Sequence, residues 1–205
     1  MAAQGLALAD MALDPIPRAV RRLHLLAWQP GADLHADWWG RLGLAPWQAD
    51  YLRHPACRQA IDREIVARRG FPHEPLPGAL DAKQTALLAL EPQLPRLLVA
   101  LGLIVLDCPD YLLLGAYRRV LAIPLGLRAC DQLLALPQAW RGGGARLAAE
   151  ALVAGAAVTG AAWWARDQHG CPVRRALAGL FPLGEGPDPP PEPAADCLLR
   201  VERFL

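Results

Sequence analysis

Serine and asparagine are absent from this 205-residue chain, threonine occurs only at positions 85 and 159, and Lys83 is the single lysine. Without serine no Ser-His-Asp triad can form, and without asparagine there is no N-glycosylation sequon. Lys83 precedes Gln84 and lacks a glycine-rich approach, which rules out a phosphate-binding P-loop. Aromatic residues make up 6% of a chain that is 54% hydrophobic, so its core must be aliphatic. Charge is nearly balanced, 21 basic residues against 20 acidic ones, where a nucleic-acid footprint would need a clearly basic face. The five cysteines are odd in number and form no CxxC, which argues against a disulfide framework and for a reducing compartment. Residues 1–15 have no basic leader and carry Asp10 where a signal peptide would be apolar, so a cytoplasmic location is expected.

What is present is leucine, in long runs cut by proline. Residues 94–140 are the most apolar stretch, and prolines at 95, 109, 124 and 137 divide it into three helical pieces. The first, residues 97–106, is apolar on every side and predicts the central helix of a bundle. In the second, Leu113, Leu114, Tyr117, Val120 and Leu121 are expected to share one face, with Arg119 opposite. In the third, Arg128, Asp131 and Gln132 form the only polar stripe.

On the N-terminal side, Asp14 is expected to cap a helix over residues 16–28 with Pro17 in its first turn. Arg18, Arg21 and Arg22 lie on one side of that helix, as a solvated face or as a docking face for an acidic partner. Residues 29–51 are broken by proline and glycine and carry Trp38, Trp39 and Trp47, which read either as a lid folded onto the domain or as interface anchors. A clear helix follows from Pro55 to a terminating Gly70, with Cys57, Ile61 and Ile65 as its buried stripe and a Glu64–Arg68 pair on its surface. The proline-rich FPHEPLPG at 71–78 marks a boundary, after which Asp81 starts a helix to Leu90.

Residues 146–168 enclose ALVAGAAVTGAAWWA, where Gly155, Gly160 and the alanines permit close helix contact. Only fifteen residues separate Glu150 from Arg166. They reach about 22 Å, short of the ~30 Å hydrocarbon core, so a packed bundle helix is expected rather than a span. Cys171-Pro172 opens a short helix to about Leu180, and PLGEGPDPPPEP follows as an extended linker. In the final segment, 196–205, Asp196 is the expected N-cap and Cys197, Leu198, Val201, Phe204 and Leu205 form one stripe. That stripe either covers the chain's own core or serves as a helix-in-groove ligand. The fold class is therefore all-α, an irregular multi-helix bundle with a single core. An N-terminal helical layer takes residues 1–70, the main bundle 79–183, and a proline-linked C-terminal helix 184–205.

Constellations that carry chemistry are sparse. His54 and Cys57 with His169 and Cys171 supply four zinc ligands, but at no established structural spacing. No local signal singles out one cysteine for a nucleophilic pair with histidine. Asp107 and Asp110 flank Cys108-Pro109, where capping by Asp110 accounts for the placement. The glycines at 142–144 follow no strand signal and make no nucleotide loop. No catalytic, cofactor-binding or metal residue is expected, and no cofactor.

The order of motifs is more specific than any one of them. DYLRHP at 50–55 leads into a helix ending RRGFP. LLVALGLIVL follows, then YRRVLAIPLGLR, a small-residue helix, and RALAGLFP. This layout, over roughly residues 45–183, resembles the K subunit of bacterial type III secretion systems. That is the SctK group, with its YscK, OrgA/MxiK and Hrp-type branches. The tryptophan-rich segment and the proline-rich tail depart from it. The resemblance implies an all-helical, non-catalytic adaptor at the cytoplasmic face of the inner membrane. It would link the inner-membrane ring, through the cytosolic domain of SctD, to the pod protein SctQ of the sorting platform, and that platform also carries SctL and the ATPase SctN. Candidate partner-facing residues, read from the residues alone, are Arg18, Arg21, Arg22, Trp38, Trp39, Leu198, Val201 and Phe204. Two other readings stand beside it: a small helical membrane-associated accessory protein, and a Cys/His-dependent enzyme or metal protein.

Overall fold

The computed structural model describes residues 16–136, 140, 142, 146–166 and 170–205, and among them the chain is helical with no strand. Helix α1 (Arg18–Trp28) begins after Pro17, whose extended backbone is the N-cap without a side-chain hydrogen bond; Asp14 lies outside the described residues. Two short helices follow, α2 (Ala36–Arg41) and α3 (Gln48–Arg53), where the sequence suggested mostly loop. Next comes α4 (Pro55–Arg69), which stops at Gly70 in the left-handed conformation that glycine adopts without strain. The Glu64–Arg68 pair forms at 3.3 Å. Ile61 and Ile65 are buried as expected, but Cys57 is exposed: it lies in the first turn of α4, outside the cluster those isoleucines enter.

Helix α5 (Ala82–Ala89) opens with a reciprocal capping box, Asp81 accepting from the Gln84 N–H at 2.7 Å while Gln84 accepts from the Asp81 N–H. Helix α6 (Leu94–Leu106) is the centre of the fold and buries Leu94 and every residue from 97 to 105. The expected single helix after Pro109 is instead two, α7 (Asp110–Leu113) and α8 (Gly115–Leu121). Leu114 between them is extended, and glycine is a poor helix former, so Gly115 restarts the helix rather than continuing it. Leu113 and Leu114 are consequently exposed, while Leu121 is buried. Pro109 rather than Asp110 takes the capping position, and Asp110 pairs with Arg146. Helix α9 (Leu127–Leu134) keeps Arg128 and Asp131 outside and buries Ala129, Cys130 and Leu133.

Helix α10 (Ala149–Arg166) runs against α6, and small residues set the separation. A Cβ on Gly102 would fall on the carbonyl oxygen of Ala156, and one on Gly160 would fall on that of Leu98. Helix α11 (Pro172–Leu177) and a 3-10 turn to Leu180 follow. After the proline-rich segment, α12 (Ala194–Glu202) begins at Pro193, not at Asp196, which pairs with Lys83 of α5. No single described helix is long and apolar enough to cross a membrane; α5 with α6 passes by length and composition only as a pair bent by 45°.

Two apolar clusters result. The large one gathers side chains from α1 and from α5 through α12. The small one holds Leu34, Trp39, Leu44, Tyr51, Ile61 and Ile65. Helix α1 thus packs with the main bundle although it precedes the small lobe in sequence. Inside the lobe, buried Asp62 accepts from the Gly31 N–H at 2.9 Å and from the Tyr51 hydroxyl at 3.2 Å. Burial raises the Asp62 pKa and pushes the Tyr51 phenol up to about 12. Because the folded-state pKa of Asp62 lies above its unfolded value, its stabilising contribution is fully present below the ordinary carboxylate range and is lost as pH rises through the folded pKa. Asp62→Asn, which cannot ionise, should therefore gain stability relative to the parent as pH rises from about 4. Denaturant titrations across that range should show the gap between the two shifting in that direction; a constant gap would mean that Asp62 titrates as it does when unfolded.

Candidate docking groove

Helix α1 turns Val20, Leu23, Leu26 and Ala27 inward, which leaves Arg18, Arg21 and Leu25 on its outer side. That side is one wall of a groove of about 1680 Å³. The floor is formed by α5 and α6, where Leu88, Leu94, Leu98 and Val99 line it while remaining at most 5% exposed. The opposite wall is the first half of α10, with Glu150, Val153, Ala154 and Ala157, and Leu180, Phe181 and Pro182 line it as well.

Of the three arginines anticipated on α1, only two are available at the rim. Arg22 is committed within the fold: its Nε donates to Glu91 Oε2 at 2.7 Å and its Nη2 to Asp33 at 2.9 Å. Hydrogen bonding to Glu91 raises the Arg22 pKa above its ordinary value despite partial burial, so the clamp stays charged at any physiological pH. Arg18 and Arg21 are exposed and make no ion pair with a described residue. Across the groove Glu150 is exposed and is likewise without an ion pair among the described residues.

The structure places the other expected contact residues elsewhere. Trp39 is 2% exposed and sits in the small cluster, edge-on to Tyr51 with ring centroids 5.5 Å apart, so the expectation of an exposed anchor is corrected for it. Trp38 is half-buried; its indole N–H donates to the Phe181 carbonyl at 3.2 Å, and Arg69 lies 5.1 Å from its ring centroid. The small lobe is further stitched to the main bundle by His35 N–H donating to the Gly179 carbonyl at 2.9 Å and Leu183 N–H donating to Asp37 at 3.0 Å. Burial, then the neighbouring Arg175, lowers the Arg69 pKa to about 10, which still leaves it charged at neutral pH. Leu198 and Val201 are fully buried in the large cluster, so in this conformation they cover the chain's own core and are not presented to a partner. Phe204, by contrast, is 42% exposed.

The titratable lining of the groove is arginine, Asp33, His35, Glu91 and Glu150, without a cysteine, serine or lysine nucleophile. Among the described residues no three His, Cys, Asp or Glu side chains are grouped as a metal site would require, and His169 lies outside those residues. Burial pushes the Cys197 thiol up to about 11 and raises that of Cys130, the reverse of what activates a thiolate. Sequence reasoning found the α1 wall and missed the floor and the α10 wall. The available signal was Ala154 and Ala157, small residues on α10 that leave room beside them.

Residues 21–183 match a family model described as a type III secretion system subunit, a stretch that takes in the small cluster, the large cluster apart from α12, and most of the groove lining. No curated protein and no solved structure matches the chain.

Proposed function

The chain belongs to a family of type III secretion system subunits, and from that premise we propose that it is the K-type subunit, SctK, of its system. In this reading it is a non-catalytic adaptor at the cytoplasmic face of the inner membrane, joining the cytosolic domain of SctD to SctQ. The observation that carries the reading is the groove, whose apolar floor and charged rim suit protein contact. The K-type assignment rests on motif order. DYLRHP closes α3 and enters α4, LLVALGLIVL is the buried α6, and YRRVLAIPLGLR folds as α8, a turn and α9.

Co-capture tests the proposal. The full chain is mixed with the cytosolic domain of the ring protein and with the pod protein of the same system. The ring domain should retain the pod protein only when this chain is present. Retention of neither protein by the chain would overturn the adaptor role.

A further inference from the structure

Resting on the adaptor reading only for the source of the partner, we infer that the groove receives one amphipathic helix of a protein partner. That helix carries carboxylates along the edge facing α1 and a basic residue along the edge facing α10. Size decides the class of occupant first. Small-molecule sites run to about 300–1,000 Å³, and this groove holds about 1680 Å³. A helix fills a cylinder roughly 10 Å across at 1.5 Å per residue, so that volume corresponds to about fourteen residues, or four turns. A strand is a poorer fit, because none of the described residues forms a sheet edge to pair with it.

The lining gives the occupant its pattern. Leu25 is exposed on one wall, Ala154 is exposed on the other, and the floor between them is aliphatic, which calls for a leucine-type stripe. Arg18 and Arg21 lie three residues apart on α1 with no carboxylate paired to them among the described residues. Carboxylates spaced by one turn along the occupant's edge would face them both. Glu150 asks for the opposite charge on the opposite edge, so the two rims together fix the helix's direction as well as its presence. Arg22, already holding Asp33 and Glu91, keeps the α1 wall at a set distance from the floor.

The probe is a synthetic helical peptide of about fourteen residues with a leucine stripe, two glutamates one turn apart on one flank and a lysine on the other. Fluorescence anisotropy with the full chain should show saturable binding that weakens with added salt. Arg18→Glu with Arg21→Glu should weaken it roughly tenfold and should favour a charge-swapped peptide instead. Ala154→Trp fills the groove from an exposed position and should abolish binding while leaving the melting temperature unchanged. Failure of the parent chain to bind the peptide would overturn the inference. So would a rise of about tenfold or more on deleting residues 1–15, which would make the chain's own N-terminal segment the occupant. A concentration-dependent dimer lost in Ala154→Trp would overturn it too, by making a second copy the occupant. Co-capture of the ring and pod proteins separates the two proposals: peptide binding without capture sinks the adaptor role alone, and capture without peptide binding sinks this inference alone.

Discussion

Gly102→Ala or Gly160→Ala is expected to cost the fold roughly 3 kcal/mol or more, at the upper end of what overpacking does. Alanine in place of glycine inside a helix normally gains close to 1 kcal/mol, so the sign of the effect is itself informative. Here the added methyl group from α6 meets the carbonyl of Ala156, and the one from α10 meets the carbonyl of Leu98. Backbone cannot rotate away as a side chain can, so the two helices must separate along their length. For a chain of this size each kcal/mol moves the melting temperature by about 2–4 °C, which puts the expected fall at about 6–12 °C. Gly40→Ala and Gly115→Ala are the matched controls, since no atom lies within 4 Å of a Cβ at either position. Equal behaviour of all four variants in thermal melts would mean that α6 and α10 are not in backbone contact.

Truncation at the other end of the chain should be nearly as severe. Leu198 and Val201 are fully buried, and α12 lies against α5, α6 and α10. Leu198→Ala alone should cost about 2–5 kcal/mol through lost transfer energy and the cavity left behind. Deleting residues 187–205 uncovers the α6 surface as well and should lower the melting temperature further, with increased binding of an apolar dye. Phe204→Ala is the contrast, expected within about 0.5 kcal/mol because the ring is largely outside the core. A deletion variant that melts with the parent would show that α12 contributes no cover. The family match ends at residue 183, so α12, which completes the core, lies beyond the matched stretch.

Local features were the most legible in the sequence. The all-round apolar run gave α6, Asp81 gave the start of α5, and Gly70 gave the end of α4, because each depends on neighbours within a turn or two. Burial decided by distant partners was not. Nothing near Cys57 says that it lies outside the small cluster, whereas Gly115 beside Leu114 was a local break signal that the leucine periodicity masked. The N-cap of α12 moved from Asp196 to Pro193 because Ala194 and Ala195 are buried and join the helix together with Asp196. The groove was half visible for the same reason. Its arginine wall is one helix face, whereas its concavity is a relation among α1, α6 and α10, the first and last of which lie more than a hundred positions apart in the chain.

The small lobe has a consequence for how the protein breathes. It leaves the large core after α1 and re-enters it at Phe71, so both ends of the excursion are fastened to one body. Six buried apolar side chains hold it, far fewer than hold the bundle. Its amides are therefore expected to open at lower free energy than those of α6 and α10 and to exchange with solvent first, which hydrogen exchange would check. An opened lobe remains a closed loop, with less freedom to gain than a free end of equal length. It is therefore expected to re-form from a restricted ensemble.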